Sequence, residues 1–102
     1  MEYNKLVRDK IPALMEAQGK RPETRILSGE EYTRRLEQKL DEETAEFHAD
    51  HSIEELADIL EVVLALAEDI GCGREDLMKI YSRKHEARGG FREGIFLIRD
   101  DT

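Results

Sequence analysis

Lys39 to Asp58 reads KLDEETAEFHADHSIEELAD, and this stretch decides the architecture. Its first half continues a helical stripe. Tyr32, Leu36, Leu40 and Phe47 are the apolar members, and the position that completes the spacing between Leu40 and Phe47 is Glu43. A helix buries a face whose residues recur every three or four positions, so Glu43 stands where a core residue is expected. His48 to His51 is a short polar turn. Ser52 then opens an S-I-E-E capping box with Glu55 in its fourth position, a pattern that starts a helix. Two helices joined by so short a turn pack antiparallel.

With the turn centred between Asp50 and His51, Glu46 comes opposite Glu55 and Glu43 opposite Asp58. Each helix contributes its two acids at i, i+3 spacing, and residues three apart share a face. Four carboxylates are therefore expected to converge in one seam. Two of them ~6 Å apart, at an effective dielectric near 20, repel by about 3 kcal/mol. A small domain is stable by only ~5–15 kcal/mol, so a cation among the carboxylates is the natural remedy. Ligands that are all oxygen select a hard ion, Mg²⁺ or else Mn²⁺, over zinc or copper. A di-iron bundle site uses Glu-x-x-His, and none of His48, His51 and His85 has a Glu three residues before it. The plainer alternative makes Glu55 a capping residue and Glu42, Glu46 and Glu54 solvated surface. It leaves Glu43 unexplained.

Outward from this hairpin, the helix before the turn begins at Ser28, which opens an S-G-E-E box with Glu31, and should end near His48. The helix after it carries Leu56, Ile59, Leu60, Val62, Val63, Leu64, Leu66 and Ile70 on most sides, so it should be buried. Gly71 and Gly73 end it. A further helix runs from about Arg74 to Arg88, and its face through Leu77 and Tyr81 continues to Lys84 and Arg88. Those two cations suit phosphate oxygens, Arg by its planar fork and Lys as a point charge; otherwise they snorkel past the core. Near the start, Pro12 fits the first turn of a helix running to about Gln18, stopped by Gly19. Residues 24–27 pair in expectation with 94–98 as a short two-stranded β element. The expected fold is all-α, an antiparallel bundle of about four helices, in a single domain spanning 1–102.

The 102 residues suffice for one small core. A net charge of -8 argues against duplex nucleic acid, which needs a basic footprint. It leaves room for a nucleotide bridged to the protein by a divalent cation. The single Cys72 cannot form an internal disulfide and suits a reducing compartment. The opening MEYNKLVRDK has no signal-like apolar run, and VVLALA at 62–67 is too short to span a bilayer. A soluble cytoplasmic protein with no membrane partner is expected. The KLVRDK opening, 5–10, carries three cations and one acid; it could reach the ligand, but spacing alone gives it no geometry.

E-E-T-A-E at Glu42 to Glu46, followed by E-L-A-D at Glu55 to Asp58, resembles the EExxE and ExxD signature of the all-α nucleotide pyrophosphohydrolases. The ending KHEARGGF, Lys84 to Phe91, and the opening YNKLVRDKIP, Tyr3 to Pro12, look like the MazG-like branch often labelled phosphoribosyl-ATP pyrophosphohydrolase-like. The resemblance covers nearly the whole chain. It implies hydrolysis of a nucleoside triphosphate between the α and β phosphates, giving a monophosphate and pyrophosphate. It also implies Mg²⁺ held by Glu43, Glu46, Glu55 and Asp58, with Lys84 and Arg88 on the phosphates. Glu42 or Glu46, where not committed to metal, would orient the attacking water. Homodimers or homotetramers are implied as well. Further down the second hairpin helix some relatives carry another polar ligand; this chain has Glu61, then an apolar run, then Glu68 and Asp69. The competing reading is a non-catalytic helical interaction or regulatory module that retains the carboxylate site.

Overall fold

The structure, a computed structural model, describes residues 2–102. Four helices occur among them: α1, Ile11–Ala17; α2, Gly29–Asp50; α3, Ile53–Asp69; and α4, Arg74–Arg88. Pro12 sits in the first turn of α1, and Gly19 at φ 83 follows its end. That backbone region is open to glycine and strained for most other residues.

α2 and α3 form the antiparallel hairpin and supply most of the packing. The hairpin is closed at its open end by Thr33, whose Oγ1 donates to Asp69 Oδ2 at 2.6 Å. Among the described residues the buried apolar side chains are Leu36, Val62 and Ala67. Leu36 and Glu43 are the buried positions of α2, with Tyr32, Leu40 and Phe47 half-buried along the same stripe. The stripe therefore faces α3, glutamate included.

The turn is tighter than the polar run suggests. α2 continues past His48 to Asp50, and His51 caps it at φ 53, its N–H donating to the Phe47 carbonyl at 2.7 Å. A left-handed conformation is unfavourable for a residue with a Cβ. Here the His51 ring lies edge-on to Phe47, centroids 5.5 Å apart, and that contact helps to hold it. The start of α2 also departs from expectation. Ser28 makes no side-chain cap, and the Glu31 carboxylate, which would complete the box by accepting from the Ser28 N–H, is taken by Arg25 through both terminal guanidinium nitrogens, at 3.0 and 2.5 Å. A bidentate charged pair outcompetes a neutral reciprocal cap. Ser52, in contrast, does cap α3, its Oγ accepting from the Glu55 N–H at 3.4 Å.

The expected β element, 24–27 with 94–98, does not form: no strand occurs among the described residues. Arg25 is engaged with Glu31, and Ile26 and Ile95 to Ile98 are all strongly exposed. A two-stranded ribbon with no face to bury is marginal in water.

Nor is α3 enclosed all round. α2 covers one side, while Ile53, Leu56 and Leu60 remain exposed. The backbone of α4 approaches α3 alone, and that of α1 approaches no other helix. The chain is accordingly elongated, 62 × 31 × 22 Å with a radius of gyration of 18.0 Å, against about 13 Å for a compact chain of this length. No helix of the described residues is long and apolar enough to cross a membrane.

Candidate metal centre

Helical phase brings the acids of α2 and α3 together where the two stripes meet. Two groups of carboxylates have oxygens within 4.8 Å of one another: Glu42, Glu43 and Glu46 along α2, and Glu43, Glu55 and Asp58 across the seam. The expected single quartet is thus two triads that share Glu43. Glu46 joins its neighbours on α2 and lies exposed, while Glu55 and Asp58 are half-buried beside Glu43.

Glu43 is the most enclosed of the set, 7% exposed, and its Oε2 is buried without a hydrogen-bond partner. Glu55 Oε2 is in the same condition. An unpaired buried carboxylate oxygen is expensive to hold. Glu55 is therefore not explained by capping alone: its backbone N–H serves the Ser52 cap, while its carboxylate turns into the seam. The environment raises the pKa of Glu43, chiefly through burial and then through the adjacent Glu46 carboxylate, with Lys39 opposing.

Two resident cations reach the group. Lys39 Nζ lies 3.3 Å from Glu43 Oε1 and 3.6 Å from Glu42 Oε1. Arg8 Nη2 donates to Asp58 Oδ1 at 2.6 Å, and Arg8 Nη1 stands 3.8 Å from Glu61 Oε1. Lys39 was passed over in the sequence, although a cation four residues before Glu43 is its neighbour on a helix. The place of Arg8 was not legible there, because a separation of 50 residues carries no periodic signal. Even so, the five carboxylates of the two triads, with Glu61 beside Asp58, pair with these two cations alone among the described residues. The donor set is all oxygen, with two buried oxygens unsatisfied, which fits a hard divalent cation.

Lys84 and Arg88 occupy the exposed second half of α4, and neither forms an ion pair among the described residues. The backbone of α4 has no approach to α2, so the structure does not join them to the α2 triad as one face. Shallow, open surface hollows lie along α4, by Arg74, Lys79 and Arg83, and beside Thr33 and Asp69. The carboxylates instead occupy the flank of the hairpin.

A 44-residue stretch is 54% identical to a protein of Mycolicibacterium smegmatis (strain ATCC 700084 / mc(2)155) described as uncharacterized. The match takes in 43% of this chain and 45% of that protein. No family model matches the chain, and no solved structure matches it.

Proposed function

We propose that this chain is a Mg²⁺-dependent nucleoside triphosphate pyrophosphohydrolase of the MazG-like all-α kind, cleaving between the α and β phosphates. One observation carries this reading. Glu43 is a buried carboxylate with an unpartnered oxygen, at the joint of two carboxylate triads. Glu43, Glu55 and Asp58 would hold the cation, with Glu46 at its outer side; Mn²⁺ would substitute. When bound, the ion neutralises charge on the phosphates and acidifies a water molecule. Glu46 is exposed and Glu42 half-buried at the edge of the set, and either, where not committed to the metal, would accept the proton of the attacking water. Lys84 and Arg88 would meet phosphate oxygens.

The same reading includes a homodimer or homotetramer. It is supported by the apolar side chains that α3 leaves exposed and by the large radius of gyration. It also includes a cytoplasmic setting and a role in clearing nucleotides from the pool.

A panel of ordinary and modified nucleoside triphosphates with Mg²⁺, resolved by chromatography, tests the activity. Monophosphate and pyrophosphate are expected. Diphosphate and orthophosphate would overturn the bond assignment. The second reading, a non-catalytic helical module, is favoured by the separation of α4 and its cations from α2; metal uptake without turnover of any triphosphate would select it.

A further inference from the structure

Residues before α1 form no regular element, yet one of them is fixed at both ends. The Arg8 carbonyl accepts the Ile11 N–H at 3.0 Å, which ties it to the start of α1. Its guanidinium crosses to α3 and bonds Asp58 at 2.6 Å. Asp58 belongs to the Glu43–Glu55–Asp58 triad, so Arg8 stands at the rim of the carboxylate group.

The fork of Arg8 is mostly unused. A guanidinium has five N–H donors in a rigid plane. Here one hydrogen bond is made, to Asp58, and Glu61 at 3.8 Å is beyond hydrogen-bond distance. The side chain is 52% exposed, and that of Asp58 37%. An ion pair so exposed contributes little to folding and is readily exchanged. Lys39 is different: its side chain is 18% exposed and tied to Glu42 and Glu43 within α2, where it balances buried charge. Lys84 and Arg88 belong to a helix with no backbone approach to α2. Arg8 is therefore the cation whose position, exposure and free donors suit an anion brought to the triad.

We propose that Arg8 is a phosphate-binding residue: its guanidinium, held on Asp58 beside the triad, takes phosphate oxygens of an anhydride substrate that reaches the carboxylates through a divalent cation. This rests on the metal reading of the triad. The planar fork matches phosphate geometry, and its hydrogen bonds to an anion are charge-assisted. Asp58 thus has two tasks, one toward the metal and one in aiming the guanidinium.

Wild type, Arg8→Ala and Arg8→Lys are compared by two measurements on the full chain. Mn²⁺ alone is titrated by electron paramagnetic resonance, and inorganic pyrophosphate is titrated by calorimetry at saturating Mg²⁺. Arg8→Ala is expected to bind pyrophosphate at least about tenfold more weakly while holding Mn²⁺ as tightly as wild type or more so, having lost a competing cation. Arg8→Lys, which keeps the charge and loses the fork, is expected to fall between them, and it carries the test if Arg8→Ala melts early. Unchanged pyrophosphate affinity in both variants overturns the proposal while leaving the metal site standing. So does a proportionate loss of Mn²⁺ and pyrophosphate, which makes Arg8 a prop for Asp58. If wild type takes up no Mn²⁺, the metal reading and this inference fall together.

Discussion

Replacing Glu43 with glutamine keeps its shape and hydrogen-bonding reach and removes its charge. Its carboxylate neighbours Glu42, Glu46, Glu55 and Asp58 have oxygens within 4.8 Å. At that separation and an effective dielectric near 20, one like-charge pair costs about 3.5 kcal/mol. The Lys39 ammonium at 3.3 Å returns about 5 kcal/mol at the same dielectric. The repulsions outweigh the single attraction, although solvent around Glu46, Glu42 and Asp58 screens much of the difference. Glu43→Gln is therefore expected to be more stable than wild type in EDTA by about 1–3 kcal/mol, each kcal/mol being worth roughly 4–8 °C in a domain this small. Millimolar Mg²⁺ should reverse the order. At a hundredfold excess over Kd, ligand binding stabilises wild type by about 2.7 kcal/mol, and the mutant should gain little. Thermal melts of both proteins, with and without Mg²⁺, decide the matter. A mutant that keeps the full Mg²⁺ shift refutes Glu43 as a ligand, and a mutant that melts well below wild type in EDTA refutes the electrostatic account.

The titration of Glu43 gives that comparison a pH dependence. Its folded pKa lies above its ordinary value of 4.5 because of burial first and Glu46 second, so the folded state holds the proton more tightly than the unfolded one. That contribution to stability is fully present below 4.5 and is lost as pH rises through the folded value. In EDTA, the stability advantage of Glu43→Gln should therefore widen as pH increases over that range; an advantage independent of pH would show that Glu43 is not the titrating group. Lys84→Ala and Arg88→Ala should each weaken nucleotide binding, with melting temperature nearly unchanged because both side chains are exposed. Unchanged binding with a lowered melting temperature would make them structural. Leu60→Asp, placed on the exposed side of α3, should shift the chain toward monomer in light scattering if that side is a subunit contact. An unaltered mass would place the contact elsewhere.

What was legible in the sequence is what repeats at helical spacing. The four helices, the short hairpin turn, the inward position of Glu43 and the Ser52 cap all depend on residues within one or two turns of each other. Backbone geometry alone translates such spacings into a shared face. The pairing of acids across the hairpin was legible for the same reason, since a tight turn sets the heights of the two helices. Its finer form was not. Whether Glu46 sides with Glu55 or with Glu42 depends on rotamers and on the real end of α2, which lies at Asp50.

Tertiary structure decided the competitions between partners. Glu31 had two suitors, the Ser28 backbone and Arg25, and the bidentate ion pair prevailed. The apolar runs at 24–27 and 94–98 had β-like composition, but neither has a surface to pack on, and both stay open. α3 reads as a helix to be enclosed, yet α2 and a lighter approach by α4 leave Ile53, Leu56 and Leu60 exposed. Arg8 meets Asp58 because the path of the chain brings the segment before α1 beside α3, a contact between residues 50 apart. Local spacing determines which face a side chain occupies; only the path of the whole chain determines what stands opposite it.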